Sequence, residues 1–348
     1  MQIYTGAIMV DGLTVLTLGR CLQMNIIAKD IYKIGNLNEG VSLQESIDSI
    51  AYVATVKLLE TDELKNIGFV KGNAIEVWDT AFNSSNDVRV FKGIVWEREK
   101  TRKDRTLELT CKERTVYMEQ SEDEYLLTEG ETASQRIKKY ANDWNIPIGN
   151  FTDTGTALAK NVYRGDTILD MIFKDLKETA QKGGKLYKVR MSDKLDLVEI
   201  GSNSTVWKLG SILEDVDEHS SLEGAVTQVK VLGSQSDDSL SPVIGTYEKE
   251  TKGYGTLRKI VQDDKVTNAD EAKKKADSLF STGEDYLTLN CDADINTIRA
   301  GDKVNFDDTD LYVASVTHTL GSVGKMDLTV GTMDYIRRKF YAGDGESS

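Results

Sequence analysis

The chain has 348 residues, 39% hydrophobic and 29% charged, a balance that excludes disorder along its whole length and supplies apolar material for two to three domains. Lys and Arg number 43 against 57 Asp and Glu, a formal net charge of −14, which opposes a grip on a nucleic-acid backbone or an anionic membrane surface. No stretch approaches the roughly 18 consecutive apolar residues of a membrane span, and Met1-Gln2-Ile3-Tyr4 lacks the basic segment of a secretory signal.

The first 118 residues read mostly as strand and form the first predicted unit, 1–118. Tyr52 to Leu59 is β-branched and aromatic. Gly72-Asn73 turns into the alternating run Ala74-Ile75-Glu76-Val77-Trp78, and Asn83 to Asp87 is a turn cluster before the strand Val88–Trp96. Arg98, Lys100, Arg102, Lys103 and Arg105 are basic but diluted by Glu97, Glu99 and Asp104, the pattern of a charged hairpin end in solvent. Leu107-Glu108-Leu109-Thr110-Cys111 alternates, so one face is buried and one is wet. Short strands at this spacing suggest a small barrel or sandwich.

The texture changes after Met118, and 119–202 reads as an α+β unit of two helices and a hairpin. Thr128-Glu129-Gly130-Glu131 has capping-box spacing. Ala133, Ile137, Tyr140, Ala141 and Trp144 then share one helical face, with Pro147 just beyond. A second helix runs from Thr167 to Gln181, capped by Asp166 and stopped by Gly183-Gly184. Leu186–Met191 and Leu195–Ile200 flank a turn at Ser192-Asp193. Glu214-Asp215-Val216-Asp217-Glu218 reads as an acidic linker into the third unit, 203–335. That unit begins with the strand Ala225–Val231 and the polar loop Gly233–Ser241. It holds one helix near 267–282, opened by the capping-box match Thr267–Asp270, and is strand from there to about Met333. Residues 336–348 are expected to be a mobile tail.

No segment offers a recognisable chemistry. The two histidines, His219 and His318, are far apart and make no zinc spacing. Asp292-Ala293-Asp294-Ile295-Asn296 begins like a calcium loop, but Thr297 replaces the required Gly and Lys303 the bidentate Glu. Asp307-Asp308-x-Asp310 reads as a turn. Cys21, Cys111 and Cys291 form no CxxC pair and fit buried thiols made in a reducing compartment. His318 at a strand end reads as structural. No G-x-S-x-G elbow, Walker motif or G-x-G-x-x-G occurs; Gly165-Asp166-Thr167 opens a helix and Gly253-Tyr254-Gly255 lacks the third Gly. With 57 acids, carboxylate pairs arise by chance, and none has a catalytic context. No catalytic, cofactor-binding or metal residue is therefore assigned.

The two strand-rich regions repeat one order of signals. Gly72-Asn73-x-Ile75-x-Val77, Phe91-x-x-x-Val95 and Leu107-x-Leu109-Thr110-Cys111 come first. Gly301-Asp302-x-Val304-x-Phe306, Tyr312-x-x-x-Val316 and Met326-x-Leu328-Thr329-Val330 come later. An internal duplication would leave this order, and so would two unrelated antiparallel meanders.

Further segments fall in a recognisable sequence: Gly165 to Met171, Val226 to Val231, the helix Ala272–Leu279, Ile298-Arg299-Ala300-Gly301-Asp302-Lys303-Val304, and Leu311 to His318. Together with Gly72–Val77, Phe91–Val95 and Ala133–Pro147, over roughly 45–335, the chain resembles the baseplate hub proteins of contractile phage tails, the late-control-D or Mu-type hubs and their defective-prophage and bacteriocin relatives. The resemblance implies a mainly β, α+β fold: two tail-tube-like β-barrels with a small α+β domain inserted. It implies a structural protein, not an enzyme. Three copies would form a pseudo-sixfold ring joining the hexameric tube to the trimeric spike. Expected partners are the chain itself as a homotrimer, the tube protein, the central spike, and the wedge and LysM-type baseplate proteins. Specific nucleic-acid binding, membrane anchoring and cofactors are not expected. The implied location is a virion or tail-like particle made in a bacterial cytoplasm. The alternatives are a tail-tip peptidoglycan hydrolase, which needs two carboxylates in a cleft, and a secretion-spike or carbohydrate-binding β module.

Overall fold

The protein is known from a computed structural model that describes residues 6–10, 13–17, 24–49, 51–101, 103–234, 240–262, 266, 268–321 and 323–342. Cys21, Arg102, Thr267 and the end of the expected tail, 343–348, lie outside the described residues.

The period-two runs become strands. β1 (Gly6–Val10) and β2 (Leu13–Thr17) pair with each other. β3 (Asn25–Ala28), β4 (Tyr32–Lys33), β5 (Asn38–Ser46), β6 (Val53–Leu59), helix α1 (Asp62–Ile67), β7 (Ala74–Thr80), β8 (Asp87–Thr101) and β9 (Thr106–Lys112) follow. Ala54, Val56 and Leu58 of β6 point inward onto Leu107, Leu109 and Cys111 of β9, and this alternation builds the first core.

The next segment contains α2 (Val116–Glu119), β10 (Glu122–Leu127), α3 (Ala133–Asp143), β11 (Ile148–Phe151), β12 (Asn161–Thr167), α4 (Ile168–Gln181), β13 (Tyr187–Met191) and β14 (Leu195–Glu199). Ile137 and Tyr140 of α3 meet Ile172 and Leu176 of α4 in one core. The caps differ from expectation. Thr132, not Thr128, closes the capping box, exchanging bonds with Gln135. Thr167, not Asp166, caps α4, and Asp166 instead pairs with Lys174 at 2.6 Å.

The last segment contains β15 (Trp207–Lys208), β16 (Leu213–Ser221), β17 (Gln228–Leu232), β18 (Val243–Glu248), α5 (Thr251–Tyr254), β19 (Arg258–Gln262), α6 (Ala269–Asp277), β20 (Glu284–Cys291), β21 (Lys303–Phe306), β22 (Thr309–Leu320), β23 (Lys325–Gly331) and α7 (Met333–Ile336). The acidic run 214–218 is strand β16 and not a linker. β17, between β18 and β19, forms a separate three-stranded sheet packed on α6, so Val226–Val231 does not join the main sheet. Residues 336–342, expected in a mobile tail, are packed against the α+β segment instead. Tyr341 is buried and its hydroxyl donates to Tyr187 O at 2.7 Å, while Arg337 donates to Ala180 O at 2.8 Å.

One sheet of thirteen strands holds both strand-rich regions, ordered β4-β3-β7-β8-β9-β6-β5-β22-β23-β20-β16, with β21 and β15 branching from β22. Two closed barrels were expected, and among the described residues no sheet closes. The outer edge of β5, which a closed first barrel would turn back on its own half, is taken by β22.

Within that sheet the two regions have one topology. β5-β6-β9-β8-β7 and β16-β20-β23-β22-β21 are the same order, antiparallel throughout. Glu39 is the extra residue of a bulge in β5, and Glu214 is the extra residue at the corresponding rung of β16. Trp96 and Ala314 are the extra residues at corresponding rungs of β8 and β22. The Gly-Asx turns also correspond. Gly72 N donates to Val95 O at 2.7 Å and Gly301 N to Val313 O at 2.7 Å. Asn73 Oδ1 accepts from Val70 N, and Asp302 Oδ2 from Arg299 N, each at 2.9 Å. The first and third repeated signals therefore align as the sequence suggests. The second shifts by three: the strand register makes Ile94, not Phe91, the counterpart of Tyr312.

Both turn glycines have left-handed backbone, φ 86 at Gly72 and 89 at Gly301, with no neighbour close enough to bar a Cβ. Gly72→Ala and Gly301→Ala should therefore each lower stability by about 1–2 kcal/mol, from backbone strain alone. Urea midpoints of the two variants check this; a cost at one turn and none at the other would break the equivalence.

Candidate assembly site at the joint of the two halves

β5 crosses from the first half to the second and pairs with β22 from Val41↔Leu320 to Ser46↔Ser315. Val41, Leu43, Glu45 and Ile47 alternate inward, which carries a carboxylate into a buried seam. Glu45 meets Arg299 in a bidentate pair, Nε at 2.6 Å and Nη2 at 3.0 Å, and accepts from Ala300 N at 3.0 Å. Lys188 of β13 stands 3.4 Å from the same carboxylate and donates to Ser46 O and Ser49 O. One side chain thus ties the first half, the second half and the α+β segment between them.

The surrounding groups complete the cluster. The Arg299 guanidinium lies 3.9 Å from the centre of the Tyr52 ring. Glu113, just past β9, accepts from Met191 N at 3.1 Å and stands 3.9 Å from Arg299 Nη2. Arg190 Nη2 pairs with Asp302 at 2.9 Å, on the repeated turn itself. Burial opposes ionisation of Glu45, but Arg299 and Lys188 outweigh it and hold the carboxyl well below the usual range. Burial dominates at Glu113, which is pushed up to about 7 against the pull of Arg299. At Lys188 burial lowers the pKa while Glu45 opposes that.

A carboxyl raised from 4.5 to about 7 holds its proton more tightly folded than unfolded. That contribution is full below 4.5 and is lost as pH rises through about 7. Glu113→Gln should flatten stability against pH across that window, read from denaturant midpoints. An unchanged profile would assign the titration elsewhere.

A second buried network sits inside the α+β segment. Asp175 accepts from Arg136 Nη1 at 2.8 Å, Tyr140 Oη at 2.8 Å and Tyr163 Oη at 3.0 Å. Burial raises its pKa, against the pull of Arg136 and the two phenols.

The residues weighed for chemistry are dispersed. His318 is fully buried, with Nδ1 on Asp294 at 2.6 Å and Nε2 on Ile298 O at 2.9 Å, so each ring nitrogen is already engaged. Asp294 is therefore committed, and Asn296 donates to Thr80 O at 2.9 Å, across the joint. Cys111 and Cys291 lie in separate cores, and burial pushes each thiol up to about 12. His219 stacks on Tyr286 at 4.4 Å on the exposed strand β16. Apart from the His318–Asp294 pair, none of these is bonded to another. The groups that do converge, Glu45, Arg299, Lys188 and Glu113, carry one legible signal: a carboxylate at an inward position of an alternating strand. The cluster offers a tie between chain segments.

Known proteins share this architecture. The phage-like element PBSX protein XkdQ of Bacillus subtilis (strain 168) is 28% identical over 205 residues, 57% of this chain and 61% of that protein. The alignment thus spans less than two thirds of that relative's length. The 43 kDa tail protein of prophage MuSo2 from Shewanella oneidensis superposes with a TM-score of 0.66 at 12% identity, over 90% of this chain and 99% of that one. The E. coli c3393 protein, a type VI secretion component described as similar to T4 tail proteins gp27 and gp5, gives a TM-score of 0.50 at 8% identity, over 88% of this chain and 76% of its own. At such identities the likeness is one of fold, and the fold is that of phage tail proteins, as the order of motifs implied. The family match runs over residues 20–331, and the chain belongs to the YQBQ-like family.

Proposed function

We propose that the chain is the structural baseplate hub of a contractile tail or tail-like particle. Three copies close a ring that joins the hexameric tube to the trimeric spike. The observation that carries this reading is the duplicated half, with one strand order and the same two bulges twice in one chain. Three chains then present six equivalent half-sheets, which matches a sixfold tube on one side, while chain identity keeps the threefold needed on the other. The tail-protein fold and the family support the same reading. The role is one of assembly rather than catalysis, with the tube, spike, wedge and LysM-type proteins as neighbours. The net charge of −14 suits a channel that lets DNA pass without sticking.

Cryo-electron microscopy of particles with a tag fused to this chain tests the proposal. The expected result is tag density near the axis, between the end of the tube and the tip. Tag density along the tube or on the peripheral baseplate arms would contradict it.

A further inference from the structure

The two halves use corresponding edges differently. β5 is paired on both sides, by β6 and by β22. Among the described residues its counterpart β16 ends the sheet and is bonded only to β20. Glu214, Asp215 and Asp217 to Ser220 on it are exposed. The receiving part of β22 also has a counterpart, the distal part of β8. There Glu97–Thr101 pair with β9 on one side, while on the other β7 stops opposite Ile94. All five residues are exposed. Among the described residues the chain therefore has two open edges, each the copy of an edge that is paired inside it.

A cleft of about 560 Å³ lies beside the open β8 edge, lined by Val70, Lys71, Trp96, Glu97 and Arg98. Through the shared turn and bulge, these correspond to Arg299, Ala300, Ala314, Ser315 and Val316. In the second half that position seats the end of β5: Ala300 N bonds Glu45, and Ile47 N donates to Ala314 O at 2.9 Å. The counterpart of Ile47 is Leu222, just past β16 and 48% exposed.

We propose that β16 of one chain adds antiparallel to the distal edge of β8 in a second copy, in the register that β5 takes on β22. Ser221 then stands opposite Glu97, Ser220 opposite Arg98, His219 opposite Glu99, Glu218 opposite Lys100 and Asp217 opposite Thr101. Leu222 enters the cleft between Val70 and Trp96. The charges agree with this pairing. β16 brings Glu214, Asp215, Asp217 and Glu218, and Glu218 falls across from Lys100 and diagonal to Arg98. Lys100 already pairs with Glu60 in its own chain, so the joint adds a second carboxylate to it. The contact is head-to-tail, the class that closes into rings. The inference rests on the ring reading above and names the surface that would make the ring.

Cysteine pairs test the register in assembled particles. Particles carrying Glu99→Cys with His219→Cys, or Glu97→Cys with Ser221→Cys, should yield covalent trimers on oxidation, seen on non-reducing gels. Glu99→Cys with Glu218→Cys should not, because neighbouring residues on a strand point to opposite faces. For the purified chain, Lys100→Glu and Glu218→Lys should each weaken self-association several-fold, and the double reversal should restore it. Particles that hold three copies yet link at neither in-register pair overturn the proposed joint and leave the ring standing. Particles without a trimer overturn the ring and the joint together. A double reversal that restores nothing counts against the joint.

Discussion

Glu45→Ala is expected to lower the unfolding free energy by about 3–5 kcal/mol, the cost of breaking a buried ion pair from one side. The carboxylate is 3% exposed and faces Arg299 in a two-point bond, Ala300 N, and Lys188, which is itself 2% exposed. Alanine returns none of these charges to water. It leaves a cation on the second half and another on the α+β segment, both aimed at a void. Because Glu45 is held below its ordinary pKa, its contribution is present at neutral pH and is lost as pH falls through the acid range, opposite in sign to that of Glu113. A urea titration at neutral pH reads the loss, and native-state proteolysis should then cut first around the β5–β22 seam. A loss below about 1 kcal/mol, the scale of an exposed pair, would mean that the seam is wet.

Asp175→Ala should cost a similar amount, about 3–5 kcal/mol, but in another place. Its side chain is the shared acceptor of Arg136, Tyr140 and Tyr163, all buried between α3, α4 and β12. Removing it takes the shared acceptor from two buried phenols and from Arg136 Nη1 at once, while Arg136 Nη2 keeps Thr128 O and Ala159 O. Hydrogen exchange should show α3, α4 and β12 losing protection before β6 and β9 do. Simultaneous loss across the main sheet would show that the α+β segment and the sheet form one cooperative unit.

Local patterns carried much of the fold into the sequence. The Gly-Asn and Gly-Asp turns were legible because only glycine adopts their left-handed backbone cheaply, and the asparagine or aspartate beside it bonds back across the turn. β9 and β23 were legible through alternation. The correspondence of β8 with β22 was not, since the aromatic that opens each signal, Phe91 or Tyr312, stands at a different rung of its strand. Nor was β16, whose acidic residues suit a linker as well as an edge strand in solvent. Both helices of the α+β segment followed their apolar stripes, yet their caps moved by one to four residues among neighbouring threonines and acids. The β5–β22 pairing joins residues more than 250 positions apart, which no local period can report. The buried cluster depends on that pairing, so nothing local sets Arg299 and Lys188 apart from the other cations of the chain.

The equivalence of the two halves has its most direct test in stoichiometry. Quantitative mass spectrometry of purified particles gives the number of these chains for each six-membered ring of tube protein. Three are expected, because each chain stands for two subunits of the ring. Six chains per ring would mean that the duplicated half is not used in this way, and the account would be wrong at its centre.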